Sequence, residues 1–481
     1  MSIVSFIKIK LSDKQGVFRN FSVLMICQLL TNIIGLFTNI YVARKLQPEL
    51  FGLYGVVITW VTLLVTYASL GMQQVVIRKV AVDQSNSIYY YNLSRIGRYA
   101  GSIVVSVIFL IYANIFASLS IELLAIIIIN LFFNVTFDTV QNIAFGMQRM
   151  ELNGYVNVLG QLTLFVLYLL LPSSFVNVEN VLYILLFVTV IKYVVYLLLC
   201  KRDYIFQNAN NLQVKINDVL KLVKESFPFY ILAVFTMFTT QFPVLYLTAY
   251  AGNQEVAYFN TANKIMVPFS LTISTLLSSI YPKLVQDAAV SLEKLVIRFK
   301  IISFFFVIIG CYGCLSLAFF RTEITTILFG DNYKEAAEVI VYQSWYLVFN
   351  SLFCLIGSTL GASKHDKGLA LLSFAYAVVN TPLFWFFSHY GATLLSYGFI
   401  IGCLINMTYH YAYLNKVVKN KLKGKFAFEI FGIILIGLVI TKFCASIEDF
   451  LIKIIFWIII STISLAIGYN LFRKEVAFYG I

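Results

Sequence analysis

Fourteen long apolar blocks follow one another along this chain, and that succession limits what it can fold into. They begin near Phe21, Gly52, Ala100, Leu123, Tyr155, Val181, Pro228, Val256, Ile301, Glu338, Leu369, Ala392, Phe428 and Leu451. A helix needs about 20 predominantly apolar residues to cross the hydrocarbon core of a bilayer. Only 12% of the 481 residues are charged, and 60% are hydrophobic, whereas soluble domains carry about a quarter charged residues. The alternative in lipid is a closed barrel. Its strands would be short and alternating, and these blocks are long and continuously apolar. The expected fold class is an all-α polytopic membrane protein with about 14 transmembrane helices, here called spans one to fourteen.

The basic, amphipathic opening stretch MSIVSFIKIKLSDKQGVFR is expected to lie on the membrane surface. No small-residue cleavage pattern follows a short apolar core, so no removed signal peptide is expected. The seven cysteines fall in or at the edge of spans. Cys311 and Cys314 form a CxxC, but inside the apolar run FFFVIIGCYGCLSLAFF. A redox pair needs an exposed, low-pKa thiolate, so packed core cysteine is the better reading.

Charge sets an orientation. With the N-terminus inside and the loops alternating, 27 of the 35 lysines and arginines fall on the inner side and six on the outer. Lys192 and Lys264 remain within spans. This bias follows the positive-inside rule loop by loop, placing both termini in the cytoplasm. The net charge of +13 therefore needs no nucleic-acid partner.

A weak internal repeat runs at an offset of 205, aligning Gly52, Leu53 and Tyr54 with Ala257, Tyr258 and Phe259, and Arg78 with Lys283. The unit is six spans, an even number, so both copies point the same way. The expected organisation is an N-terminal lobe of spans one to six (1–200), a cytoplasmic linker (201–226), and a C-terminal lobe of spans seven to twelve (227–415). A basic linker with spans thirteen and fourteen (416–481) follows, with peripheral packing as the default.

Polar residues stack along several spans. Asn130, Asn134, Asp138 and Asn142 recur every fourth residue of span four and share one face. Span one offers Gln28, Asn32, Gly35 and Asn39. Span two offers Thr59, Thr62, Thr66, Ser69 and Gln73. Span eight offers Asn260, Asn263, Lys264, Ser270, Ser274 and Ser278, and span five starts with Asn157 and Gln161. Any one such group serves as helix–helix glue, worth roughly 0.6 kcal/mol. Several long stripes instead suggest helices lining a water-filled cavity. A charge near the bilayer centre costs at least about 2.5 to 3.5 kcal/mol and faces a cavity or a partner. Asp138, Lys192 and Lys264 are such charges; Lys192 could also snorkel, or pair structurally with Asp138. Basic groups beside many amides suit an anionic, sugar-bearing ligand, since phosphate needs cations and N–H donors.

The chain resembles the Wzx-type polysaccharide flippases of the multidrug/oligosaccharidyl-lipid/polysaccharide (MOP) exporter superfamily. YVARKLQPELFGLYGVV (41–57) looks like that family's first outside loop, with Gln47 where a glycine is usual. SLGMQQVVIRKVA (69–81) looks like the end of its second helix, with Arg78 in the place of its usual arginine. ILFGDNYKEAAEVI (327–340) and VVNTPLFWFFSHYGATLLSYGFIIG (378–402) resemble its later passages. The resemblance implies a V-shaped pair of six-helix lobes plus two extra helices in the bacterial inner membrane. It implies a flippase, not an enzyme, that carries an undecaprenyl-pyrophosphate-linked oligosaccharide across for O-antigen, capsule or exopolysaccharide synthesis by alternating access. A polysaccharide polymerase and a chain-length regulator are the implied protein partners.

On this reading Arg78, Lys264, Asn32, Thr62, Thr66, Asn130, Asn134 and Asn260 contact the substrate. Asp138 and Lys192 form a coupling site or an ion pair. No metal or cofactor is expected, apart from H+ or Na+ as coupling ion. The rival readings are a lipid II flippase or a drug or cation antiporter of the same superfamily. A drug antiporter would prefer a more acidic cavity. A membrane polymerase is less favoured, because the largest outer loop, Arg321–Glu338, holds no histidine or cysteine, and His365, His389 and His410 share no ligand spacing.

Overall fold

A computed structural model describes residues 3–116, 119–202, 214–422 and 424–445, together with 447, 449, 451–459 and 461–462. Among them there are helices and no strands. In chain order the helices are α1 (Ile3–Ala68), α2 (Met72–Val82), α3 (Ser87–Phe116), α4 (Ile121–Gly146), α5 (Met150–Leu170), α6 (Val178–Arg202), α7 (Ile216–Thr240) and α8 (Phe242–Ala251). There follow α9 (Asn253–Val290), α10 (Leu292–Phe319), α11 (Arg321–Phe329), α12 (Ala336–Ala362), α13 (Asp366–Ser388), α14 (Ala392–Val417) and α15 (Gly424–Ala445). Twelve helical segments among the described residues are long and apolar enough to cross a membrane. The first, Val23–Ala68, has 46 residues and breaks at Gln47, so it holds spans one and two. α7 and α8 together form span seven, and α9, α10, α12, α13, α14 and α15 are spans eight to thirteen. The described part of span fourteen is helical over 451–459.

The chain divides into two compact units, Met1–Gln241 and Phe242–Ile481. In the first, the inner core joins Met72, Val75, Val76 and Val80 of α2 to Val140 and Ile143 of α4, Tyr196 of α6, and Val219 and Leu222 of α7. α2 exists because the chain breaks at Leu70 and Gly71, both at positive φ (50° and 66°). Gly71 lies directly against the α7 backbone: a Cβ there would come within 2.4 Å of the Tyr230 nitrogen. Lys79 Nζ meets Glu225 Oε2 at 2.7 Å on the same contact. α7 is thereby built into the first unit, and α8 into the second.

The core of the second unit gathers α9, α10, α12 and α14 with Phe426, Ile430 and Ile434 of α15. Cys311 and Cys314 are buried in it. Span thirteen thus packs one side on α10 and this core, and leaves Phe428, Phe431, Ile436 and Val439 exposed on the other. Trp345 donates its indole N–H to Thr441 Oγ1 at 3.2 Å, and a Cβ on Gly437 would meet the same ring at 2.6 Å. Ion pairs flank this attachment. Lys421 reaches Glu293 at 2.6 Å, and Lys453 reaches Glu323 of α11 at 2.6 Å. Trp457 donates to Ser316 Oγ at 2.8 Å.

One backbone shape recurs before α9 and α14 and after α11. Gly252, Gly330 and Gly391 have φ of 92–94° and ψ of 172–177°. Gln47, which the offset of 205 aligns with Gly252, has φ 66° and ψ 165°. That region is essentially reserved for glycine, and other residues held there are strained by about 1–3 kcal/mol. The same turn at aligned positions is the repeat expressed in backbone geometry. Gln47→Gly is expected to raise the thermal unfolding midpoint of the purified protein. A lowered midpoint would mean that the Gln47 side chain holds the turn more strongly than its backbone strains it.

Glu323 supplies a pH dependence. Burial raises its carboxyl. The Lys453 ammonium, the Thr322 hydroxyl and a backbone N–H outweigh burial and hold it below the ordinary 4.5. A depressed carboxyl stabilises the fold above its unfolded value and loses that contribution as pH falls through the folded one. The unfolding midpoint of Glu323→Gln is therefore expected to fall less than that of wild type on acidification through about pH 4.

Candidate transport site

The polar stripes separate once their partners are visible. In the first unit, Thr62 and Thr66 donate to the carbonyls of Ile58 and Thr62 at 2.8 and 2.9 Å. Asn32 donates to Gln28 O at 2.7 Å. Each satisfies its donor on its own helix. Thr62, Gln28 and Gln73 are exposed, and Asn32 and Thr66 are partly so. On α4, Asn130 and Asn134 donate to Ile126 O (3.0 Å) and Asn130 O (2.8 Å). Asn130 is buried at 2% exposure, while Asn134 and Asp138 are half-buried. Gln161 of α5 is glue: its amide donates to Thr38 Oγ1 of α1 at 3.2 Å. Arg78 is exposed on α2.

The first unit also holds a charge cluster that the sequence showed only in part. Arg98 of α3, counted above among the cytoplasmic charges, is 1% exposed. Position alone suggests the end of a helix, but α3 extends eleven residues before it, so its side chain is enclosed. Its Nη1 donates to Thr139 Oγ1 at 3.3 Å, and its Nε is buried with no acceptor. Asp138 acts electrostatically on both Arg98 and Lys192. Neither cation comes within 4.0 Å of a carboxylate oxygen of Asp138. Lys192 of α6 lies along α5, where a Cβ on Gly160 would meet its Cδ at 2.5 Å. Its ammonium sits 4.9 Å from the centre of the Phe137 ring, a favourable contact for a cation.

In the second unit, α9 is the polar helix. Asn263, Ser270, Ser274 and Ser278 are exposed, and Asn260 and Lys264 are partly so. At 100° per residue these positions share one side of the helix. Ser270, Ser274 and Ser278 donate to carbonyls of their own helix at 2.8–3.1 Å. Lys264 and Asn260 have no side-chain hydrogen bond, and Lys264 has no ion pair, among the described residues. Lipid would offer Asn260, Asn263 and Lys264 on this exposed face no partner. Where the helix meets its neighbours the carboxylate of Glu255 accepts the Ala392 N–H at 2.6 Å, tying the starts of α9 and α14 together.

Comparison with known proteins bears on the family and the fold. A family of polysaccharide biosynthesis proteins matches residues 17–288, more than half of the 481. A relative named "Putative O-antigen transporter", from Shigella dysenteriae, is 26% identical over 134 residues, 28% of this chain and 33% of its own length. The chain thus spans about a third of that curated relative. The lipid II flippase MurJ in an inward closed conformation superposes with a TM-score of 0.73 at 16% identity, over 93% of this chain and 98% of its own. An inward-facing multidrug resistance transporter of the MATE family, MOP superfamily, gives 0.60 at 16% identity, over 84% and 99%. These likenesses establish a MOP-type fold.

The charge cluster yields a test by stability. Asp138→Asn removes the acid that acts on the enclosed Arg98 and the half-buried Lys192 and is expected to cost about 1–3 kcal/mol. Adding Lys192→Met should recover part of that loss in thermal unfolding of the purified protein. A neutral Asp138→Asn would place both cations beyond the carboxylate's effective reach.

Proposed function

The chain belongs to the family of polysaccharide biosynthesis proteins, and from that premise we propose that it flips a lipid-linked oligosaccharide across a membrane. The substrate class is an undecaprenyl-pyrophosphate-linked repeat unit, the membrane is the bacterial inner membrane, and both termini face the cytoplasm. One observation carries the reading. Lys264 is a cation on a spanning helix without an acidic partner among the described residues, on a helix side carrying amides and hydroxyls. A pyrophosphate supplies the missing counter-charge and accepts the N–H bonds, and a glycan occupies the neutral donors and acceptors beside it.

In this mechanism Arg78 draws the pyrophosphate in, and Lys264 with Asn260 receives it. Asn32, Thr62, Thr66, Asn130 and Asn134 belong to the glycan-facing helices of the first unit. The isoprenoid tail stays in lipid, and the units alternate in access. The Arg98–Asp138–Lys192 cluster is the site of coupling to an ion. Delivery outside feeds a polysaccharide polymerase with its chain-length regulator.

A deletion strain tests the reading. Lipid-linked repeat units should accumulate inside and surface glycan should disappear, with wild type restoring both. Single repeat units still reaching the surface would indicate a polymerase. Normal glycan with altered drug tolerance would indicate an antiporter. Lys264→Met should fail to restore glycan while the purified variant unfolds at the wild-type midpoint or above, because the substitution removes an unpaired charge. A variant that restores glycan fully would remove Lys264 from the site.

A further inference from the structure

In the second unit α14 and α15 follow one another in the chain but pack on different neighbours. α14 lies along α12, and α15 lies along α10. Between them runs a groove of about 690 Å3, floored by Phe299 and Ser303 of α10 and by Phe349, Leu352 and Ile356 of α12. We propose that this groove holds an acyl chain of a resident membrane phospholipid with an anionic headgroup. The proposal does not depend on the flippase reading: no residue of α9 lines the groove, so it is separate from the helix side that carries Lys264.

The groove is apolar along its length and basic at one end. Leu404 and Met407 line its α14 side, and Ile430 and Ile434 its α15 side. Phe428 and Phe431, which also line it, are exposed. From Gly424 to Ile434 the α15 wall rises about 15 Å at 1.5 Å per residue. That is half of the roughly 30 Å hydrocarbon core, so the groove has the depth of one leaflet.

The turn between α14 and α15 joins the two walls, so it borders the groove at the Gly424 end. Lys416 stands in the last turn of α14, Lys419 in the connection, and Lys425 between Gly424 and Phe426, which both line the groove. Lys300 of α10 holds its ammonium 5.6 Å from the centre of the Phe426 ring. Two acids are at hand: Glu293 meets Lys421 at 2.6 Å, and Glu429 meets Lys425 at 4.0 Å. Lys300, Lys416 and Lys419 have no ion pair among the described residues. A zwitterionic lipid fits the groove but brings these ammonium groups no net counter-charge. A lipid whose phosphate carries no cation of its own does, and its oxygens accept their N–H bonds. Basic pockets between helices at the cytoplasmic surface are where anionic headgroups bind, and the lysine excess makes this end the cytoplasmic one.

The test uses the purified full-length protein in detergent, with native mass spectrometry and thermal unfolding as readouts. Phosphatidylglycerol is compared with phosphatidylcholine of the same chains. Wild type is expected to retain more phosphatidylglycerol than phosphatidylcholine, and to unfold at a higher midpoint with it. Lys300→Gln, Lys419→Gln and Lys425→Gln combined should weaken phosphatidylglycerol binding at least about tenfold and leave phosphatidylcholine binding unchanged. Thr408→Trp keeps every lysine but places a bulky ring on a groove-lining position, and should lose the bound lipid as well. Equal retention of the two lipids by wild type overturns the proposal. So does a phosphatidylglycerol preference that survives the lysine substitutions, which puts the headgroup elsewhere. A preference that survives Thr408→Trp overturns it too, because headgroups are then drawn by surface charge without the groove. Glycerol phosphate that raises the midpoint as much as phosphatidylglycerol assigns the lysines to a phosphate without a chain. Polyprenyl phosphate retained in preference to phosphatidylglycerol assigns the groove to the transported lipid. Either result overturns the proposal.

Discussion

The hydrocarbon core of a bilayer has no water to satisfy a polar group, so each one must find its partner inside the protein or border a water-filled space. Nearly every structural choice in this chain follows from that. Threonines and serines along the spans turn their hydroxyls back onto carbonyls of the preceding turn, as Thr38 does on Ile34 O and Ser303 on Phe299 O. Where a polar group cannot close on its own helix, it reaches a neighbour: Gln161 to Thr38, Trp345 to Thr441. Opposite charges meet close to helix ends, as in Lys79–Glu225, Lys421–Glu293 and Lys453–Glu323. Against that background the groups that do none of these things stand out, and they are few.

The spans were legible in the sequence because lipid imposes a length and a composition that local sequence must meet. The offset of 205 also held a physical signal: Gln47 and Gly252 take nearly the same rare backbone conformation. What escaped is what depends on packing. The two helices of span two, α1 and α2, are separated by a break at Gly71 that exists because the α7 backbone passes against it. No pattern within residues 69–81 announces that neighbour. Likewise the attachment of α15 through Trp345 against Gly437 has no signal within the α15 sequence.

The site was legible to a similar depth. Four-residue spacing places polar residues on one helix side, but it does not distinguish a face turned to a neighbour from one turned to water. Gln161 and Asn260 look alike in the sequence, yet one is bonded to α1 and the other has no side-chain partner among the described residues. Arg98 was missed for the opposite reason. It stands among residues that read as the inner end of a span, and only the extension of α3 back to Ser87 encloses it. The usable signal was its distance along the chain from Asp83, whose carboxylate is held by Ser85 and Asn86 at the preceding turn. From that turn, a short 3-10 turn and eleven residues of α3 bring Arg98 well inside.

The two units handle intramembrane charge differently, and the difference has a consequence for transport. The first places one acid, Asp138, where it acts on two cations, Arg98 and Lys192. The second leaves Lys264 without an ion pair among the described residues. An unpaired ammonium on a spanning helix is costly, and on the proposed reading an anionic ligand relieves it. Binding energy from the phosphate is then largest where the protein lacks its own counter-ion. A carboxylate beside Lys264 would stabilise the empty protein and weaken the ligand by the same interaction. The absence of that acid among the described residues is what a carrier of anions requires, since a cation already satisfied has little left to offer a substrate.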